Sequence, residues 1–152
     1  MSAKAALLDL VRQHLADRMA TMEAAAREAH AAASDPDSKA ESKYDTRSLE
    51  ASYLAAGQAA QLAEWAAAVT RMAAFDAPDF DPADPIASGA LVELSTDDSS
   101  AWYLLAPAAG GLAVTSDGME ITLLAPASPL YQSLLGKSVG DDCGKARITE
   151  IL

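Results

Sequence analysis

The chain has 152 residues and 15.7 kDa, with 22 acidic against 11 basic side chains and a formal net charge of -11. That size excludes a large multidomain enzyme, and the charge excludes holding nucleic acid by phosphate neutralisation. Hydrophobic residues make up 51% of the chain, but much of this is alanine and aromatics reach only 5%, which favours closely packed helices over a broad aromatic core.

The first expected element is a long helix. Leu8, Val11, Leu15, Met19, Met22, Ala26, Ala29 and Ala33 recur at steps of three and four, the stripe of an amphipathic helix or antiparallel coiled coil. Asp9, Arg12 and Asp17 interrupt its start, so no signal-peptide core is expected there, and no apolar run is long enough to cross a bilayer. After a break at Ser34-Asp35-Pro36, a second periodic segment runs from about Glu41 to Ala74, with Leu62, Trp65, Val69 and Met72 on one face. The first stripe shrinks from leucine to alanine and the second grows from alanine to large residues. An antiparallel hairpin over residues 1–75 therefore brings the Leu8/Val11/Leu15 end against the Trp65/Val69/Met72 end. Arms of about 30 residues, at about 1.5 Å of rise each, predict a hairpin of about 45 Å.

Six of the seven prolines and seven of the eight glycines follow Phe75. Asp76-Ala77-Pro78-Asp79-Phe80-Asp81-Pro82-Ala83-Asp84-Pro85 reads as a linker, spanning 76–86, that cannot continue a helix. Residues 76–152 hold 3 bases and 12 acids, a net of -9, against 8 bases and 10 acids, a net of -2, in residues 1–75. Beyond the linker the period becomes that of strands, predicted at Ala90–Leu94, Trp102–Ala106, Leu112–Val114, Met119–Leu124 and Ala146–Leu152. Turns fall at Asp97-Asp98-Ser99, Gly110-Gly111 and Asp117-Gly118. A short helix fits between the last two strands: Ser128 caps it, Pro129 suits its first position, Leu130, Leu134 and Leu135 face the sheet, and Gly136 suits its left-handed exit. Residues 87–152 are thus a small α+β domain. The single cysteine, Cys143, excludes an internal disulfide framework and a cysteine-rich zinc site, fits a reducing cytoplasm, and reads as a small packed residue near the last strand.

The turn of the hairpin, residues 34–45, is crowded with charge: Asp35, Asp37, Glu41 and Asp45, interleaved with Lys39 and Lys43 and followed by Arg47. Part of this is capping, since Asp35 suits an N-cap, Pro36 the first helical position and Asp37 the first turn. If a helix begins at Pro36, however, Asp37, Glu41 and Asp45 form a row of like charges four apart, which costs a few tenths of a kcal/mol per pair. Carboxylates without histidine or thiol suit a hard cation such as Mg2+, its shell completed by water or another protein. The bases form a solvated face or contact a partner. His14 and His30 have no ligand partner at useful spacing and read as surface histidines.

In this order, hairpin, acidic tip, linker and small C-terminal domain resemble the bacterial Gre-type transcript-cleavage factors over nearly the full length. At the tip, Asp37-Ser38-Lys39-Ala40-Glu41-Ser42-Lys43-Tyr44 resembles the family's Asp-Leu-Lys-Glu-Asn-Ala-Glu-Tyr, with Asp37, Lys39 and Tyr44 in matching places. Ser128-Pro129-Leu130 followed by Leu134-Leu135-Gly136-Lys137-Ser138-Val139-Gly140-Asp141, closing with Ile148 to Leu152, resembles the family's more specific Ser-Pro, Leu-Ile-Gly-Lys and Val-Gly-Asp pattern. The resemblance implies two domains: an N-terminal antiparallel coiled-coil hairpin and a small FKBP-like α+β domain without isomerase activity. It implies an accessory factor, not itself an enzyme and with no cofactor of its own. The C-terminal domain would dock on RNA polymerase core and the coiled coil would enter the secondary channel. Asp37 and Glu41, with Asp35 or Asp45 as substitutes, would help hold an Mg2+ of the polymerase active site while water attacks backtracked RNA. Lys39, Lys43, Tyr44 and Arg47 would meet the partner.

The family's tip carries a glutamate three residues after its aspartate, whereas Asp37 is followed at that offset by Ala40, with Glu41 one step and about 100° further round a helix. The pattern therefore leaves open both a cleavage factor and a non-cleaving regulator or inhibitor of the same channel. A helical-hairpin adaptor using the Leu8/Val11/Leu15 surface is a further alternative. A prolyl isomerase is disfavoured, because Trp102, Tyr103 and Tyr131 are too few aromatics to line a prolyl pocket. The expected protein is a cytoplasmic monomer that touches nascent RNA only through the polymerase, with no membrane contact and no DNA binding of its own.

Overall fold

The computed structural model of the protein describes residues 2–34 and 46–152. Two long helices come first, α1 (Ala3–Ser34) and α2 (Thr46–Ala74). They are followed by β1 (Leu91–Ser95), β2 (Ser100–Leu105), β3 (Ala113–Ser116), β4 (Met119–Leu124), α3 (Pro129–Leu134), β5 (Asp142–Cys143) and β6 (Ala146–Ile151). Contacts divide the chain into two compact units, Gln13–Val69 and Met1–Arg12 with Thr70–Leu152.

The first unit is a pair of antiparallel helices. Arg18 lies over the Trp65 ring at 5.8 Å, and further along α1 Ala26 and Ala31 line a groove shared with Ala59 and Leu62 of α2. Advancing along α1 thus means retreating along α2, as the stripes predict. Leu15 is fully buried, whereas Met19, Met22, Ala26 and Ala29 are half-buried, so burial along α1 weakens as leucine gives way to alanine. The expected start of the second helix at Glu41 lies outside the described residues.

The second unit is built on a six-stranded sheet of order β3-β4-β2-β1-β6-β5, in which β2 and β4 run parallel and every other neighbouring pair antiparallel. Met119–Leu124 is found with the bounds read from the sequence, the other strand bounds shift by at most two residues, and β5 is an addition: two residues carry too short a pattern to be read alone. The β3–β4 hairpin turns on Asp117 and Gly118, both with positive φ (52° and 78°), the left-handed pair whose twist matches the strands it joins. The α3 helix starts on Ser128, whose hydroxyl accepts from the Tyr131 amide at 3.5 Å, with Pro129 in its first turn. It covers one sheet face with Tyr131 and Leu134, against Val92, Leu94, Leu105, Leu124, Ile148 and Ile151. Cys143 is half-buried against this cluster.

Side chains alternate between faces along a strand, so Leu91, Leu104, Ile121 and Leu123 belong to the opposite face, and they too are buried. The same unit holds the buried apolar ends of the helices, Leu7, Leu8, Val11 and Met72. Part of the second face is therefore lined with Leu and Ile and buried like the first, as strands covered twice are.

Residues 76–90 hold no helix or strand but are tightly bonded within this unit. Asp81 and Asp84 close a turn through two 2.9 Å hydrogen bonds, one from the Asp84 amide to the Asp81 carbonyl and one from the Asp81 amide to the Asp84 carboxylate. Ile86 is fully buried, and its amide donates to the Lys137 carbonyl while its carbonyl accepts from the Gly136 amide, each at 2.8 Å.

Candidate functional site

The sequence places the candidate site where α1 passes into α2. Asp35, Asp37, Lys39, Glu41, Lys43, Tyr44 and Asp45 lie outside the described residues, and Arg47 falls in the first turn of α2. Among the described residues, no group of three or more histidines, cysteines, aspartates or glutamates is placed to hold a metal ion. His14 and His30 are exposed. Likewise, among the described residues no helix is long and apolar enough to cross a membrane.

Below the turn, Glu23, Ala26, Arg27, His30 and Ala31 of α1 face Ala59 and Leu62 of α2 across an open groove of about 650 Å³. Alanine on both helices explains the space: a methyl group cannot fill the gap that paired leucines close. Gln58, on α2, holds a buried side-chain oxygen with no hydrogen-bond partner.

Three groups that the sequence reading passed over stand out in the sheet unit. Lys4 is 5% exposed, the one buried charged side chain among the described residues. Its ammonium donates to the carbonyls of Pro78 at 2.5 Å and Leu152 at 2.8 Å, and lies 4.8 Å from the centre of the Phe80 ring. Burial pushes its pKa from the ordinary 10.5 down to about 8, against the opposing pull of the Asp79 carboxylate. Arg12 donates to the Met72 carbonyl at 3.0 Å and the Phe75 carbonyl at 2.7 Å, at the end of α2.

The third group is a row across the sheet. Glu150 of β6 stands directly opposite Glu93 of β1, which on its other side stands opposite Trp102 of β2. Opposed residues share a face, so two carboxylates and an indole lie side by side. The register slips at this point, between Glu93 and Leu94, and the extra residue on β6, Thr149, donates its hydroxyl to Glu93 Oε1 at 2.7 Å.

No family model and no curated protein matches the sequence. Among solved structures, the chain is similar to GreA factor homolog 1 (Gfh1) of Thermus thermophilus, at 20% identity over 93% of this chain and 94% of that one, with a TM-score of 0.38. It is also similar to Gfh1 of Thermus aquaticus, at 19% identity over 91% and 92% of the two chains, with a TM-score of 0.37.

Proposed function

We propose that this chain is a divergent Gre-type factor that binds RNA polymerase, inserts the α1–α2 pair into the secondary channel and promotes cleavage of backtracked RNA. The observation that supports this reading is the stretch from Ser128 to Asp141, in which residues of the resemblance each have work in the fold. Ser128 caps α3 and Pro129 opens it, and Gly136 turns with φ 80° and donates to Ile86. Gly140 turns with φ 94°, and the Asp141 carboxylate accepts from the Ser138 amide at 2.8 Å.

On this reading the chain brings carboxylates to a centre that belongs to its partner. Asp37 and Glu41 would complete the shell of an Mg2+ at the polymerase active site, where the metal activates water and stabilises the leaving oxygen of the scissile phosphodiester. Lys39, Lys43, Tyr44 and Arg47 would meet the channel wall. The chain has no cofactor of its own and acts as a cytoplasmic monomer.

A second reading follows from Ala40. With an alanine three residues after Asp37, and Glu41 about 100° further round if the tip is helical, the tip would occupy the channel without completing the metal site. A backtracked polymerase complex carrying end-labelled RNA, supplied with Mg2+ and the protein, separates the two. Shortening of the transcript that disappears with Asp37→Ala or Glu41→Ala establishes cleavage. Slowed extension without shortening establishes an inhibitor, and no effect on either returns the chain to a helical adaptor.

A further inference from the structure

We propose that the uncovered part of the sheet face around Trp102 is a docking surface for an arginine-bearing protein segment. Glu93 and Glu150 are directly opposed on neighbouring strands, a position where like charges destabilise a sheet. Among the described residues the ion pairs are Arg12 with Asp9 and Arg147 with Asp142, so no cation of this unit relieves the pair. Arg147, the base of β6, stands opposite Ser95 and is engaged by Asp142. Thr149 gives the Glu93 carboxylate one hydrogen bond and no charge.

Beside the carboxylates, Trp102 is half-buried. Two positions before Ile121, the neighbour of Trp102, Met119 is 39% exposed on the same face. A guanidinium suits this arrangement better than an ammonium, because it stacks on an indole and donates in a planar fork to carboxylates at its edge. The charge of the region agrees: with 3 bases and 12 acids, residues 76–152 attract a basic partner from a distance. The face lies opposite the α3 layer, so Ser128, Pro129 and Leu134 take no part in it, whereas Glu150 belongs to the closing stretch, Ile148 to Leu152. In taking the arginine-bearing segment to be the polymerase's, the inference rests on the reading above.

The chain has two tryptophans, so in a Trp65→Phe background Trp102 reports alone. Its fluorescence is titrated with a tetra-arginine peptide and a tetra-lysine peptide, and binding to RNA polymerase core is measured by co-sedimentation, each with and without Glu93→Gln and Glu150→Gln together. The expected result is saturable quenching by the arginine peptide, stronger than by the lysine peptide, and co-sedimentation with polymerase, with both Kd values raised at least about tenfold in the double variant. The free double variant should melt no lower than its parent, because repulsion has been removed, which a purely structural role for the two glutamates does not give. A response to the arginine peptide but not to polymerase would keep the surface and overturn the polymerase reading. Polymerase binding with the same Kd in parent and double variant overturns the docking surface, as does an arginine peptide that leaves Trp102 unchanged.

Discussion

Arg12 Nη2 donates to the Phe75 carbonyl at 2.7 Å, so a side chain of the first helix caps the last turn of the second. A helix leaves its final carbonyls without partners, and these carry the negative end of its dipole. Here a guanidinium answers both needs at once, taking the Met72 carbonyl with Nε as well. Arg12→Ala should therefore lower stability by about 1–3 kcal/mol, a fall in Tm of roughly 2–4 °C for each kcal/mol in a chain of this size. Arg12→Lys should recover less than half, since an ammonium lacks the fork. Calorimetry of the three proteins checks this, and an Arg12→Ala chain that melts with its parent would refute it.

Lys4 makes stability depend on alkaline pH. Its folded pKa is about 8 and its ordinary value 10.5, so between these the unfolded chain binds more protons than the folded one. Stability should rise as pH climbs from about 8 to about 10.5 and level off beyond. Lys4→Met removes the titrating group and should flatten that segment of the curve. Urea midpoints measured across the interval decide it, and an equal slope in both proteins would show that the dependence lies elsewhere.

Gly89 is irreplaceable by its surroundings as well as by its backbone. Its φ is +94°, and a Cβ there would stand 2.9 Å from Pro78 Cδ and 3.3 Å from Ala77 Cα. Gly89→Ala should cost about 2–3 kcal/mol by combining left-handed strain with the clash. Ala109 is the converse, a non-glycine residue at φ 62°, and Ala109→Gly should stabilise by about 0.5 kcal/mol. Denaturant unfolding of the two variants should move in opposite directions.

At the tip, Ala40→Glu supplies an acid at the third position after Asp37. If a missing ligand alone limits cleavage, the variant should shorten backtracked RNA at least about tenfold faster, equivalent to about 1.4 kcal/mol of the barrier. No gain would count against the missing-ligand account.

The helical pair was legible because its stripes taper in opposite senses, which fixes how the arms must meet. The α3 helix was legible from Ser128, Pro129 and Gly136, each of which favours one position in a helix. Strands were legible where turns announced them, as at Asp117-Gly118. Register was not, since no local signal says that Glu93 and Glu150 will be neighbours 57 residues apart, and the opposed carboxylates were therefore invisible. Lys4 was missed for a related reason: a lysine near the start of a helix reads as solvated until its partners at Pro78 and Leu152 are known. The bonds that tie down the proline-rich stretch are also long-range, from Ile86 to Gly136 and Lys137. The tip residues lie outside the described part of the chain, so the carboxylate row keeps the standing that its spacing gives it.

The clasp of Lys4 on Leu152 also sets an order of events during synthesis. The two are 148 residues apart, so at about 5–20 residues per second the lysine leaves the ribosome on the order of 10 s before its second acceptor exists. The helical pair needs only Val69 to be complete and can form meanwhile. The start of α1, with Leu7 and Leu8 in its second turn, then waits exposed in a nascent chain, where a chaperone has an opportunity to bind.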